Sequence, residues 1–236
     1  MMKITNSCLI IFLFTCCLSA QNNEKEKTME IFGFVMMDSG YDFGRMNPDW
    51  YDTMRPTQIL DKNGNEYQSQ GAFYMSVRQT TFGIKNYIES PLGQIKTHFE
   101  FDLFGMGKEV GNTAFRLKYA YAEVGKFGFG QMNSLFTDID LYPNIVEFMG
   151  PNAVPFIRNV QIRYTPIQNV NHNFSVALER PGATADQGQY GAEFVYPPIL
   201  EGMEPRFSLP DLSSEYRYTD KWGYVELAGI VRSIKW

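Results

Sequence analysis

The sequence predicts an all-β protein, an antiparallel transmembrane β-barrel, with room for about nine strands in the chain. Three observations carry this. The chain opens like an exported protein. Its strands are long and alternate strictly, with one greasy face and one charged face. Its connections are short at one end of the strands and long at the other. The stretch QIKTHFEFDLFGMGKEVGNTAFRLKYAYAE at 94–123 shows the pattern. Ile95, Thr97, Phe99, Phe101 and Leu103 interleave with Lys96, His98, Glu100 and Asp102. Phe115, Leu117, Tyr119 and Tyr121 interleave with Arg116, Lys118 and Ala120. In a soluble sheet the greasy face would be the core. In a membrane barrel it meets lipid, and the charges line the lumen.

The N-terminus reads MMKITNSCLIIFLFTCCLSAQ. Lys3 supplies a positive start, Cys8 to Leu18 an apolar run, and Leu18-Ser19-Ala20 a small-residue cleavage site. Residues 1–20 are therefore expected to be a signal peptide, and 21–29 a charged tail. The apolar run is too short for a good spanning helix. All three cysteines, Cys8, Cys16 and Cys17, lie in this leader. The remainder can form no disulfide and no thiolate metal site. Losing Lys3 takes the net charge from −5 to about −6, which argues against a nucleic-acid binder. No later segment resembles a transmembrane helix, so any spanning structure must be a barrel, where every backbone polar group is paired. Aromatic residues make up 15% of the chain, which suits the girdles of such a barrel.

The expected strands run at 30–38, 71–86, 94–106, 113–125, 128–137, 157–166, 173–181, 211–219 and 222–235, each bounded by Gly, Pro, Asn or Asp. Several reach the nine to eleven residues that roughly a tilted spanning strand needs. Short connections fall at YIESPLG, Lys126-Phe127, IQNVNH and Asp220-Lys221. Long ones fall at 39–70, 138–156 and 182–210, with 107–112 as a shorter member of that side. Outer-membrane barrels have short periplasmic turns and longer extracellular loops.

One face of these strands collects Arg78, Lys96, Glu100, Asp102, Arg116, Lys118, Arg163, Glu179, Glu215, Arg217, Glu226 and Arg232. The other collects apolar residues, among them Phe73, Phe99, Phe115, Leu117, Tyr119, Val160, Ile162, Leu178 and Leu227. A soluble sandwich with its charges outside is the competing explanation. Within the charged face, basic residues can select anions by field and hydrogen bonding, or the two signs can simply cancel in cross-strand pairs. Both readings stand at this point.

Other motifs are weaker. Asp61, Asn63 and Asn65 of DKNGNE have calcium-loop spacing, but Asn63-Gly64 is an ordinary tight turn. FTDIDLYPNIVEF at 136–148 gathers Asp138, Asp140 and Glu147 on a long-side loop, the place of a pore-constricting loop. His98 lies on the charged face. A barrel hydrolase would need a serine beside it, with Ser76 as the candidate. Gly128-Phe129-Gly130 has no helix or lysine after it to make a nucleotide loop. No cofactor and no metal is expected, and no catalytic residue is assigned.

Seven segments occur in order: FGFVMMDSGYDFG (32–44), VRQTTFGIK (77–85), FEFDLFG (99–105), FRLKYAYAEVG (115–125), GQMNSLFTDID (130–140), GPNAVPFIRNVQIRYT (150–165) and FSVALERPG (174–182). Together they resemble the DcaP-like outer-membrane porins. The resemblance covers roughly 30–182 well and the rest more loosely. It implies sixteen-stranded homotrimeric channels for small anionic, carboxylate-bearing solutes, set in outer-membrane lipid. It also implies basic lumen residues, for which Arg78, Arg116, Arg158 and Arg163 lie in matching motifs. Thr81 and Lys118 depart from it where arginines would be expected.

On this reading, residues 30–236 form the N-terminal part of a barrel, about nine of sixteen strands. Trp236 could also be read as the closing aromatic of a complete barrel, though Arg232 interrupts the apolar positions before it. The expected function is passive diffusion through an outer-membrane porin. The alternative is a non-channel role, as an adhesive surface protein or a barrel hydrolase.

Overall fold

The computed structural model describes residues 28–43, 48–53, 71–145, 147, 150, 154–182 and 206–235. The expected leader, most of the charged tail and the DKNGNE segment lie outside these. Eleven strands form: β1 (Thr28–Phe34), β2 (Asp38–Asp42), β3 (Ala72–Ser76), β4 (Thr81–Ser90), β5 (Gly93–Phe104), β6 (Thr113–Val124), β7 (Phe127–Asn133), β8 (Arg158–Gln168), β9 (His172–Glu179), β10 (Asp211–Asp220) and β11 (Gly223–Val231). β1 thus begins inside the stretch expected to be tail.

Nine strands make one antiparallel sheet in the order β1-β4-β5-β6-β7-β8-β9-β10-β11, and β2 pairs with β3. From β4 onward each strand pairs with its successor in sequence, an up-and-down meander. Among the described residues β1 and β11 are its two edges. β5 and β6 have twelve residues each. At about 3.3 Å per residue that is ~40 Å, enough to cross a ~25 Å apolar band at a strong tilt.

Two of the expected strands are broken, and the break has a cause. The expected strand at 30–38 becomes β1 and the start of β2; that at 71–86 becomes β3 and β4. Opposite kinks at 35–37 and 77–80 separate them. There the Thr80 hydroxyl accepts from the Met36 amide at 3.1 Å and donates to its carbonyl at 3.3 Å, replacing ladder bonds. The register also shifts by one residue between Phe34↔Thr81 and Asp38↔Ser76. Before the kink Ser76 faces inward; after it Thr81 and Gly83 do. The alternation changes phase because one side-chain step is lost.

The connections alternate as expected. Residues 91–92, 125–126, 169–171 and 221–222 are the turns at one end; 43–71, 105–112, 134–157 and 180–210 join the strands at the other. At the turn end the outer face carries aromatic clusters. Phe127 stacks on Tyr164 at 4.9 Å, and Tyr218 lies beside His172 at 5.1 Å and Trp222 at 6.4 Å.

The sheet is inverted relative to a soluble one. Its buried residues are largely polar: Arg78, His98, Glu100, Asp102, Gln161, Ser175, Glu179, Asp211 and Ser213. Phe115, Leu117, Ile162, Leu178, Leu227 and Val231 are exposed on the opposite face. Leaving such side chains in water forfeits about 1.5–3 kcal/mol each. So many on one face require a non-aqueous neighbour, and the soluble sandwich does not fit.

One assignment is corrected. Tyr119 and Tyr121 do not join the greasy face of β6. Glu100 pairs with Tyr119 and Phe101 with Leu117, so Lys118 is the extra residue of a β-bulge. Beyond it the phase reverses, and Tyr119 and Tyr121 turn inward onto His98, at ring separations of 5.0 and 5.2 Å. The Gln131 side chain stabilises the bulge by donating to the Leu117 and Lys118 carbonyls at 3.0 and 3.2 Å. Next to it, Gly130 has φ +122, and a Cβ there would stand 2.2 Å from the Ala120 carbonyl oxygen. No other residue fits.

Candidate functional site

The inner face is a ladder of cross-strand charge pairs. Because side chains on one face of paired strands sit about 5 Å apart, residues brought opposite each other by register meet directly. Lys96 of β5 bonds Glu123 of β6 at 2.9 Å. Glu100 meets both Lys118 of the bulge and His98, the latter at 2.9 Å. Asp102 takes the Arg116 guanidinium, with Nε donating at 2.9 Å. Arg232 reaches Asp211 at 2.8 Å. The three expected lumen charges on β5 (Lys96, Glu100 and Asp102) and the two on β6 (Arg116 and Lys118) are thus all spent in cross-strand pairs, Lys96 on Glu123, which is not among them.

Arg78 is placed elsewhere. It sits in the kink between β3 and β4 and is fully buried. Segment 48–53 folds inward over it. Asp52 grips the guanidinium with both oxygens, Nε donating at 2.9 Å, and the Asp49 carbonyl accepts from Nη1 at 3.3 Å. Ser76 donates to the same Asp52. The Tyr51 and Phe104 rings lie 4.6 and 4.3 Å from the guanidinium carbon, and Trp50 stacks on Phe104 at 5.8 Å. Arg78 therefore offers no donor to a passing solute; it clamps a loop.

The 134–157 loop also lies against the inner wall. Its first foot is held by Glu179 of β9, which accepts from the Ser134 hydroxyl at 2.8 Å and the Leu135 amide at 3.4 Å. Thr137 and Ile157 bond each other across the loop, the Ile157 amide donating at 3.0 Å. At the 3-10 turn Ile139–Leu141, Asp138 caps the Asp140 amide at 2.9 Å. Asp138 and Asp140 then reach across to Arg217 of β10. Glu147 is half-buried and lies within electrostatic reach of Tyr74 on β3.

Arg158 and Arg163 are different from the ladder. Among the described residues neither has a carboxylate within ion-pair distance. Arg163 donates to the Gln161 side chain and, at 2.5 Å, to the Asn133 carbonyl. Its electrostatic neighbours Glu215, Glu123 and Glu179 stand further off. Arg158 lies between Tyr119 at 5.2 Å and Phe156 at 4.4 Å, and its buried Nε has no hydrogen-bond partner. Tyr142 packs edge-on against Phe156 at 5.6 Å. Burial pushes the Tyr142 phenol above its usual range, and Arg158 pulls partly the other way.

Sequence reasoning missed several members of this wall. Lys85 faces inward opposite His98, over the Phe32 ring at 4.6 Å. Reading the alternation back from Phe82 and Ile84 would have revealed the phase change. Asp49, Asp52 and Trp50 carried no local signal, since loop residues have no period to read. The proposed Ser76–His98 pairing does not form: Ser76 serves Asp52, while His98 faces Glu100 and Tyr121.

The profile of the DcaP outer membrane protein family matches residues 18–218, most of the chain. The chain belongs to the DcaP outer membrane protein family. Its place is the outer membrane, which explains why an exposed face of Phe, Leu, Ile and Val is stable. The fold of this DcaP-family chain resembles the crystal structure of the outer membrane channel DcaP of Acinetobacter baumannii. The TM-score is 0.68 at 18% identity, over 92% of this chain and 57% of that one. The chain thus spans somewhat more than half of that channel's length. A comparison with curated proteins finds no match.

Proposed function

We propose that this DcaP-family chain forms the wall of an outer-membrane porin that lets small anionic, carboxylate-bearing solutes diffuse passively across the membrane. The porin reading is supported by the inverted sheet, with a polar inner face, an apolar outer face, and segments 48–53 and 134–141 folded against the inside. The anionic reading is supported chiefly by one observation: Arg158 is a wall cation that no carboxylate neutralises among the described residues. A guanidinium packed against aromatic rings, with its planar fork of donors, suits a planar carboxylate. Arg163, with neutral hydrogen-bond partners, adds to the field. We further propose a homotrimer, in which part of the outer face bearing Phe99, Phe101, Phe115 and Leu117 packs on a neighbouring subunit rather than on lipid.

Planar bilayers test this with the full chain. In a salt gradient the reversal potential should report anion preference. Replacing both arginines, R158A with R163A, should reduce that preference, and succinate should block small-ion current less effectively. Absence of conductance would remove the porin reading. Cation preference in the unaltered chain would remove the anionic one.

A further inference from the structure

The function proposed above leaves Asp138 and Asp140 as acids on a constriction loop, where they would oppose anion passage. The wall answers them at one point. Arg217 of β10 meets three carboxylates: Asp138 at 2.9 Å, Asp140, and Glu226 of β11 at 2.6 Å from Nη2 and 2.7 Å from Nε. The Tyr224 ring lies 4.3 Å from its guanidinium carbon, and the Tyr224 hydroxyl donates to the second Asp138 oxygen at 2.8 Å.

An isolated surface ion pair is worth about 0–1 kcal/mol, but this cluster is not isolated. One cation is shared among three anions, and Asp138 and Glu226 are both nearly buried. Among the described residues the guanidinium is the one cation that meets all three. Remove it, and three carboxylates face one another in a confined space; like charges there repel strongly because water screens them poorly. The loop, which carries two of the three, is the part that can move. Its feet are held by neutral donors on Glu179 and by the Thr137–Ile157 bonds, which hinge it without fixing the 138–141 elbow.

We infer that Arg217 is the positioning residue that holds the 138–141 elbow of this loop against the wall and offsets part of its negative charge, so that one guanidinium sets both the constriction and the strength of its field. This rests on the porin reading for its consequence, but the tether itself does not. The loop contains no Lys or Arg, and Leu141 ends the tethered elbow.

Two measurements on the full chain separate the parts. In bilayers, R217A should give noisier current with brief closures and shift the reversal potential toward cations. Adding D138N and D140N to R217A should carry the reversal potential back toward anions, past that of the unaltered chain, while the noise persists, because only the Glu226 charge is left and the tether is not rebuilt. In detergent, chymotrypsin should cut after Leu141, which is exposed at the end of the elbow and is not followed by proline, several-fold faster in R217A than in the unaltered chain. D138N with D140N alone, which leaves the wall intact, should speed that cleavage as well, and carries the test should R217A not fold. Unchanged cleavage in the folded variants overturns the tether. Faster cleavage with an unshifted reversal potential overturns the role in selectivity. Absence of current in the unaltered chain, with cleavage rising as expected, overturns the porin reading and leaves the tether standing.

Discussion

Arg78 and Arg217 each stand on the inner wall, and each meets an aspartate from a loop that folds inward, yet they work under different conditions. Arg78 is sealed. It has one carboxylate, Asp52, in a two-point grip, rings on both sides, and a carbonyl and a serine completing the shell. Charge balances one to one, and water is excluded. Arg217 is wet on one side, its side chain 22% exposed, and is outnumbered by carboxylates. A buried pair resists salt and tolerates no loss of a partner. A shared, partly solvated cation tolerates adjustment and responds to its surroundings. The 48–53 segment is therefore part of the wall, while the 134–157 loop is a fitted piece whose seat depends on charge.

Breaking the sealed side should cost most. Asp52→Ala strands a buried guanidinium, and about 3–5 kcal/mol should be lost, seen as a lower urea midpoint for unfolding in detergent. Arg78→Lys keeps the charge but cannot make the two-point grip. It should cost about 1.5–3 kcal/mol, the worth of a hydrogen bond to a charged group, in the same measurement. On the wet side, Tyr224→Phe removes one hydroxyl from Asp138 and should cost only about 0.5–1.5 kcal/mol, read as a modest rise in chymotrypsin cleavage after Leu141. Raising salt from 0.1 to 1 M, which shortens the screening length from about 10 to 3 Å, should enlarge that rise and leave the Asp52 clamp unmoved. Equal salt sensitivity at both places would erase the distinction.

Much of the barrel wall is legible in the order of residues. The apolar positions Phe99, Phe115, Ile162 and Leu178 alternate with charges, and the structure puts them on one exposed face. The short turns at 91–92 and 221–222 sit near their Gly and Asp signals. Legibility fails at three particular places. At 77–80 the kink shifts the phase, which hid Lys85. At Lys118 the bulge turns Tyr119 and Tyr121 inward. Between β8 and β9 the register slips again between Tyr164 and Ile167. A bulge adds one residue against a partner strand, so its position depends on that strand and leaves little trace in the bulged one.

The candidate site divides in the same way. That Lys96, Glu100, Asp102, Arg116 and Lys118 share a face follows from the sequence, because side chains alternate with a period of two wherever the chain is extended. Which charges are spent and which remain does not follow. Arg78 and Arg158 look alike in sequence, yet one is closed by Asp52 and the other, among the described residues, lies beside two rings without an acid. Arg217 could be counted on the charged face, but not as the seat of a loop whose aspartates lie far away along the chain. Local periodicity determined the chemistry of the two faces; pairing across distant strands and loops, which only the folded sheet brings within a few ångströms, decided which of those charges hold the wall and which are left, among the described residues, without an opposite charge.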